Sequence, residues 1–362
     1  MKALKIGVLT FHRCINYGSY WQARCLVEGL IARGHNAAIL DHESPQVNVA
    51  EWKCAYRPVL PTAVPESDYP LYRKKIKNFF RSFDSLPLSP RFGLNDPEQM
   101  EDYDMIVVGS DEVWNLFHPW YGGCPLFFGE GLRGKRLVSY AASFGNYDAS
   151  WQLQPSWSEK LRNFSSISVR DENSQRIVKN AIGIEPALVL DPCLQFPVHL
   201  EERAIAEQPY IALYGHNFSP FFVNQILSWA THRNLPLVSI GYRNDWAHEQ
   251  WITADPHDFA HFMAGAEAVV TNFFHGCVFA LRNGKSFVCE TTPYRGNKLQ
   301  GLLSKTGSNK HLVNETTPTA TYHHCLNDPL EEQIFRNIRQ LQQNSNEYLD
   351  QSLSLNHIHQ YG

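Results

Sequence analysis

Two side chains in this 362-residue sequence stand where an α/β protein does chemistry, His275 and Arg170. His275 falls inside Ala266–Glu290. There a β-branched run at Ala268–Thr271 leads through a tight loop into a helix with apolar Val278, Phe279 and Leu281. Gly284 ends that helix, and a second run follows at Ser286–Glu290. Asn272 is positioned to cap the helix, and His275 occupies its first turn, at the carboxyl end of a strand. Free N–H groups and the helix dipole converge there and attract anions. The plainer role for His275 is to fill space or close the turn. Arg170 follows the short apolar run Ser166–Val169 and precedes Asp171, which can cap a helix reaching about Asn180. A guanidinium between a strand end and a helix start suits a phosphate or a carboxylate. A salt bridge to Asp171 or another carboxylate is the structural alternative.

Loops rich in small polar residues surround these two positions in the sequence order. His12–Ser19 (HRCINYGS) follows the strand Leu4–Phe11, and Asn16 and Gly18 could shape a ligand loop or only a turn. It lacks the GxGxxG spacing of a dinucleotide site. Gly109-Ser110-Asp111, continuing to Trp114-Asn115, follows the buried-type strand Asp104–Val108 and reads equally as a pocket loop or a turn.

The elements that must position these loops alternate strictly. The first helix carries apolar Tyr20, Ala23, Leu26, Val27, Leu30 and Ile31 at helical spacing. Strands at Asn36–Leu40, Arg136–Tyr140, Ala187–Leu190, Tyr210–Tyr214 and Leu235–Ile240 interleave with helices at Pro220–Thr231 and from Asp255-Pro256 onward. Such alternation implies parallel sheets and an α/β class: two Rossmann-like domains facing across a cleft, as in glycosyltransferase-B folds. The expected domains are 1–200, with an irregular, proline-rich insertion at about 44–95, and 205–328. The helical tail 329–362 is expected to pack back on the first domain. The insertion holds one basic helix near Leu71–Phe83 and could act as a lid or acceptor-binding flap. Its Arg73-Lys74-Lys75 cluster reads as a solvated helix face.

Composition bounds the rest. A formal charge of -4 provides no basic field for nucleic acid. No apolar run approaches the roughly 20 residues that span a bilayer, and a strand beginning by Leu4 leaves no room for a signal peptide. Eight cysteines without CxxC spacing fit a reducing cytosol rather than a disulfide frame or zinc ribbon. His323-His324-Cys325 lacks distant partners, so no metal site is expected.

The motifs also carry a resemblance. Asn16-Tyr17-Gly18 with Gln22-Ala23, Gly109-Ser110-Asp111 with Trp114-Asn115, Ser168-Val169-Arg170-Asp171, Asp191-Pro192 and Thr271-Asn272-Phe273-Phe274-His275-Gly276 occur in that order. The sequence resembles the polysaccharide pyruvyltransferase family. The resemblance implies a cytoplasmic transferase that moves the enolpyruvyl group of phosphoenolpyruvate onto sugar hydroxyls of a cell-surface or exopolysaccharide precursor, lipid-linked or not. Phosphoenolpyruvate is then the donor substrate, with no further cofactor. Arg170 would bind the donor anion and His275 act as general acid or base. Asn16, Gly18, Ser110, Asp111, Asn115, Asn272 and Phe274 would line the substrates. Studied members place an arginine two residues before the histidine, where this chain has Phe273; Arg295, Lys298 or Arg13 could supply the missing cation. Two other readings stay open: a nucleotide-sugar glycosyltransferase, with Glu290 as the candidate ribose carboxylate, and a repurposed, non-catalytic anion-binding member. The sequence is silent on oligomeric state.

Overall fold

The computed structural model describes residues 3–200, 203, 205–206, 208–291 and 296–354. It divides into two compact units. Unit 1 comprises Met1–Glu51, Phe83–Pro197 and Arg339–Gly362; unit 2 comprises Trp52–Ser82 and Val198–Ile338.

Unit 1 contains β1 (Lys5–Leu9), α1 (Tyr17–Ala32), β2 (Asn36–Ile39), β3 (His42–Glu43) and the first half of α2 (Pro45–Tyr56). After α3 (Tyr69–Phe83) the chain forms β4 (Phe92–Gly93), β5 (Met105–Val108), β6 (Leu137–Ser139), α4 (Pro155–Leu161), β7 (Ser168–Val169), α5 (Glu172–Ile182), β8 (Ala187–Leu188) and α6 (Pro192–Gln195). Four strands make a parallel sheet in the order β2-β1-β5-β6. Parallel strands need both faces covered, and β5 is buried at every position. Asn16 starts α1 by accepting the N–H groups of Gly18 (2.8 Å) and Ser19 (3.2 Å). Asp171 caps α5 through the Ser174 N–H at 2.7 Å, as its place before the helix predicts.

Unit 2 contains β9 (Ile211–Tyr214), α7 (Pro220–Arg233), β10 (Leu237–Ile240), β11 (Glu249–Trp251), α8 (Pro256–Gly265), β12 (Ala268–Thr271), α9 (Phe274–Arg282), β13 (Ser286–Glu290), α10 (Gly296–Thr306), β14 (Leu312–Val313) and α11 (Thr319–Asn327). Six strands form one parallel sheet, β11-β10-β9-β12-β13-β14. Asp255 opens α8 with a capping box, its carboxylate taking the Asp258 N–H while Asp258 takes the Asp255 N–H. Both units are Rossmann-like, as the strand–helix alternation predicts.

Two segments differ from expectation. The stretch 44–95 is not mainly irregular, because α2 precedes the basic helix, and the unit boundary falls within α2. Residues 52–82 group with unit 2 because α3 buries Tyr72, Ile76 and Phe79 and bonds to it through polar groups. Lys75 donates to the Gly241 carbonyl at 2.8 Å and Asn78 to the Thr253 carbonyl at 2.8 Å. The tail helix α12 (Glu332–Ser354) likewise begins in unit 2. From Arg339 onward it belongs to unit 1, where the Tyr348 hydroxyl donates to the Ser139 carbonyl at 2.6 Å and Ser345 accepts from the Leu190 N–H at 2.9 Å.

Candidate functional site

Each sheet has one place where successive strands depart in opposite directions, and in parallel sheets ligands bind outside the carboxyl ends there. In unit 1 this place lies between β1 and β5; in unit 2 it lies between β9 and β12. The motif residues follow these strands and their neighbours.

In unit 1 the center is Arg170, whose side chain is 3% exposed. Its Nη2 reaches Asp111 Oδ1 at 3.2 Å and its Nη1 reaches Asp191 Oδ2 at 3.3 Å. Burial works against the charged guanidinium, but Asp111 and Asp191 outweigh it and raise its pKa further. Asp171 does not take this guanidinium; it caps α5 and accepts from Ser143 Oγ at 2.6 Å. Asp111 also accepts from Ser19 Oγ at 2.8 Å, which ties the loop after β5 to the first turn of α1. Asp191 Oδ1 takes the Cys193 N–H at 2.9 Å. The arrangement holds a buried cation rigidly at the head of α5.

Several other candidates spend their hydrogen bonds on the loops themselves. Ser110 is fully buried and donates to the Ala141 carbonyl at 3.0 Å. Asn115 is buried, gives its amide to Glu112 and Asn146 at 2.9 Å each, and accepts the Phe117 N–H at 3.0 Å. Arg13 grips Asp41 through two bonds of 2.6 and 2.8 Å. His12 completes that cluster, its Nε2 lying 3.0 Å from Asp41 Oδ1. Burial lowers the His12 pKa. Burial would raise that of Asp41, but bonds from His12 and Arg13 hold it well below the usual carboxylate range. The sequence reading passed over His12 and Asp41. A histidine just after one strand and an aspartate just after the neighboring parallel strand was the available signal.

In unit 2 the loop after β12 carries His275, buried in the first turn of α9 with its ring 5.2 Å from that of Phe274. Asn272 does not cap α9. It is fully buried, and its amide donates to the His216 carbonyl at 2.8 Å, which pins the loop after β9 to the loop after β12. Thr271 helps close the turn instead, its hydroxyl donating to the Tyr214 carbonyl at 2.6 Å and accepting the Phe273 N–H at 3.0 Å. Gly276 is required for contact: a Cβ there would lie 2.0 Å from Thr271 Oγ1. Phe273 stands among the rings of Tyr214, His216 and Tyr242, at 4.9, 5.2 and 5.7 Å. An aromatic cluster thus fills the position of the family arginine. Lys298 is half-buried on α10, and Arg295 lies outside the described residues.

Unit 2 also holds an open hollow of about 460 Å³, lined by Asn217, Ser219, Glu290, Thr291, Asn314, Glu315 and Thr316. Burial raises the Glu290 pKa. Both of its oxygens take the Ser219 N–H, at 3.1 and 3.3 Å, at the start of α7. Amides, hydroxyls and two carboxylates in one hollow match the bonding of a polyhydroxylated ligand.

A family model for polysaccharide pyruvyl transferase matches residues 16–292, more than half of the chain and all the motifs above. The chain belongs to the polysaccharide pyruvyl transferase family. This pyruvyl transferase family member is therefore an enzyme of the polysaccharide-modifying transferase type. No curated protein matches it. Similar solved structures include S. aureus MnaA with UDP, 12% identical with a TM-score of 0.50, the match covering 96% of this chain and 92% of that one. Others are a putative UDP-N-acetylglucosamine 2-epimerase from Listeria monocytogenes (10% identity, TM-score 0.48, covering 96% and 95%) and the glycosyltransferase SnogD from Streptomyces nogalater (10%, 0.47, 97% and 98%). At these identities the likeness to MnaA concerns the fold alone.

Proposed function

We propose that this transferase moves the enolpyruvyl group of phosphoenolpyruvate onto two hydroxyls of a sugar in a cell-surface or exopolysaccharide precursor, forming a pyruvate ketal. One observation carries the reading. The family's arginine and histidine, Arg170 and His275, both sit at helix starts beyond the carboxyl ends of parallel strands, each within its own unit. Such positions favour anions. Asp111 and Asp191 hold the Arg170 guanidinium for the donor's phosphate or carboxylate. The hollow beside Glu290, with its amide and hydroxyl side chains, supports a sugar as the second substrate.

In this mechanism His275 gives a proton to the CH2 carbon of the donor, which becomes the methyl group. The electron-poor C2 is attacked by one sugar hydroxyl, which loses its proton as the C–O bond forms. A second hydroxyl of the same sugar then attacks C2 as the C–O bond to phosphate breaks, and its proton leaves with the inorganic phosphate. A donor working near neutral pH suits histidine.

The test follows phosphate release from phosphoenolpyruvate by phosphorus NMR across a panel of glycan acceptors. Replacing His275 with alanine should slow release by on the order of 10²-fold or more. Normal turnover by that variant would remove the assignment. Glu290, buried in the lining of this hollow, favours a second reading, a nucleotide-sugar glycosyltransferase. Thermal melts separate the two, because a ligand at about 100 times its Kd stabilises by about 2.7 kcal/mol. Stabilisation by nucleotide sugars and not by phosphoenolpyruvate would select the second.

A further inference from the structure

The charge of this protein is unevenly spread. The whole chain is formally -4, yet residues 52–82 hold seven Lys and Arg against two Asp and Glu, a formal +5. Six of the seven bases are exposed: Lys53 and Arg57 in and just after α2, and Arg73, Lys74, Lys77 and Arg81 on α3. On α3 they recur at helical spacing and form a stripe opposite buried Tyr72, Ile76 and Phe79. Phe80, 46% exposed, borders that stripe on the side toward Ile76. From Arg73 to Arg81 the stripe is about 12 Å long on a helix of about 22 Å. Arg81 bonds to Asn78 of its own helix, not to a carboxylate.

The N-terminal end of α3 adds a second aromatic feature. Trp52, 41% exposed, stacks on Tyr56 at 5.3 Å, Tyr56 stacks on Tyr69 at 5.3 Å, and the Arg57 guanidinium lies 5.3 Å from the center of the Tyr69 ring. A solvated helix face needs neither an outward phenylalanine nor an outward tryptophan. Basic groups interspersed with amphipathic aromatic rings match the interface of a bilayer, where phosphate headgroups meet acyl chains.

We propose that the outward face of α3, with Trp52 beside its N-terminal end, docks the protein on an anionic lipid surface. The bases meet headgroup phosphates, and Phe80 and Trp52 enter the interfacial layer. The proposal needs neither the phosphoenolpyruvate donor nor a particular acceptor, so it stands apart from the catalytic reading.

Flotation of the full-length protein with phosphatidylcholine vesicles, with and without phosphatidylglycerol, tests it. Binding is expected only with phosphatidylglycerol and should fall as added salt shortens the Debye length. Each basic residue near such a surface is worth on the order of fivefold in partitioning, so Arg73→Gln/Lys74→Gln/Lys77→Gln together should weaken binding roughly 100-fold. Phe80→Ala should weaken it about tenfold, in proportion to the half of the ring it exposes. Unchanged circular dichroism melts show that the variants remain folded. The proposal is overturned if phosphatidylglycerol vesicles bind nothing, or if the triple variant binds as well as the parent. It is equally overturned if only heparin or dextran sulfate is retained in a stripe-dependent way, which would make the partner an acidic polymer.

Discussion

Arg170→Met is the most informative single change in unit 1. The substitution keeps a long, flexible side chain and deletes the charge, leaving Asp111 and Asp191 facing each other across the vacated place. Asp191 is 1% exposed at its side chain and Asp111 12%, so neither carboxylate can recover full hydration. At an effective dielectric of 20, contacts of 3.2 and 3.3 Å are each worth about 5 kcal/mol before desolvation is counted. Much of that is cancelled by the cost of burying the charges, and breaking such a pair by removing one partner typically costs 3–5 kcal/mol, so about 4 kcal/mol is expected. For 362 residues, with an unfolding entropy of about 2.1 cal/mol/K per residue, that corresponds to a fall in Tm of roughly 5 °C. Arg170→Met/Asp191→Asn should recover part of it, because the second change removes one orphaned charge. Arg170→Lys should fall between, since one ammonium cannot reproduce two bonds made from separate guanidinium nitrogens. Differential scanning calorimetry with and without phosphoenolpyruvate reads both consequences. The single variant should melt early and lose its stabilisation by the donor. An Arg170→Met protein melting within about 2 °C of the parent, with donor stabilisation intact, would refute both the ion-pair account and the donor-site account.

Two further outcomes follow from unit 2. Lys75 is buried, donating to the Gly241 carbonyl with its ammonium 4.3 Å from the center of the Tyr242 ring, and burial brings its pKa down to about 7. Between that value and its ordinary 10.5, the unfolded chain holds a proton that the folded chain has released. Stability should therefore rise with pH above about 7, by up to 1.4 kcal/mol per pH unit, and level off near the ordinary value. Urea unfolding at several pH values should show this slope in the parent and lose it in Lys75→Met; equal slopes would contradict the assignment. Gly276→Ala would place a methyl 2.0 Å from Thr271 Oγ1, on a hydroxyl that bonds both Tyr214 and Phe273. Overpacking there should cost about 1–3 kcal/mol and disturb the turn that carries His275, visible as a lowered Tm and lost donor stabilisation; a native melt would show that the loop has room.

Local patterns made much of the fold legible. The runs Ala268–Thr271 and Ser286–Glu290 form strands with the bounds that their β-branched and apolar residues suggested. Asp171 and Asp255 cap the helices they precede, because a cap depends only on residues three positions apart. The ordered motifs were enough to name the family. What they could not reveal was which partner each polar side chain would take. Asn272 looked like a helix cap from its neighbors, but its amide turns to a carbonyl 56 residues away in sequence. Arg170 stood next to Asp171 in the sequence and bonds instead to Asp111 and Asp191. Residues 52–82 seemed to belong to the unit in which their sequence is embedded, and they pack with the other. Propensity and capping act over a few residues and are written locally. Hydrogen-bond partners and domain membership are chosen by burial, which brings together groups that the sequence keeps far apart.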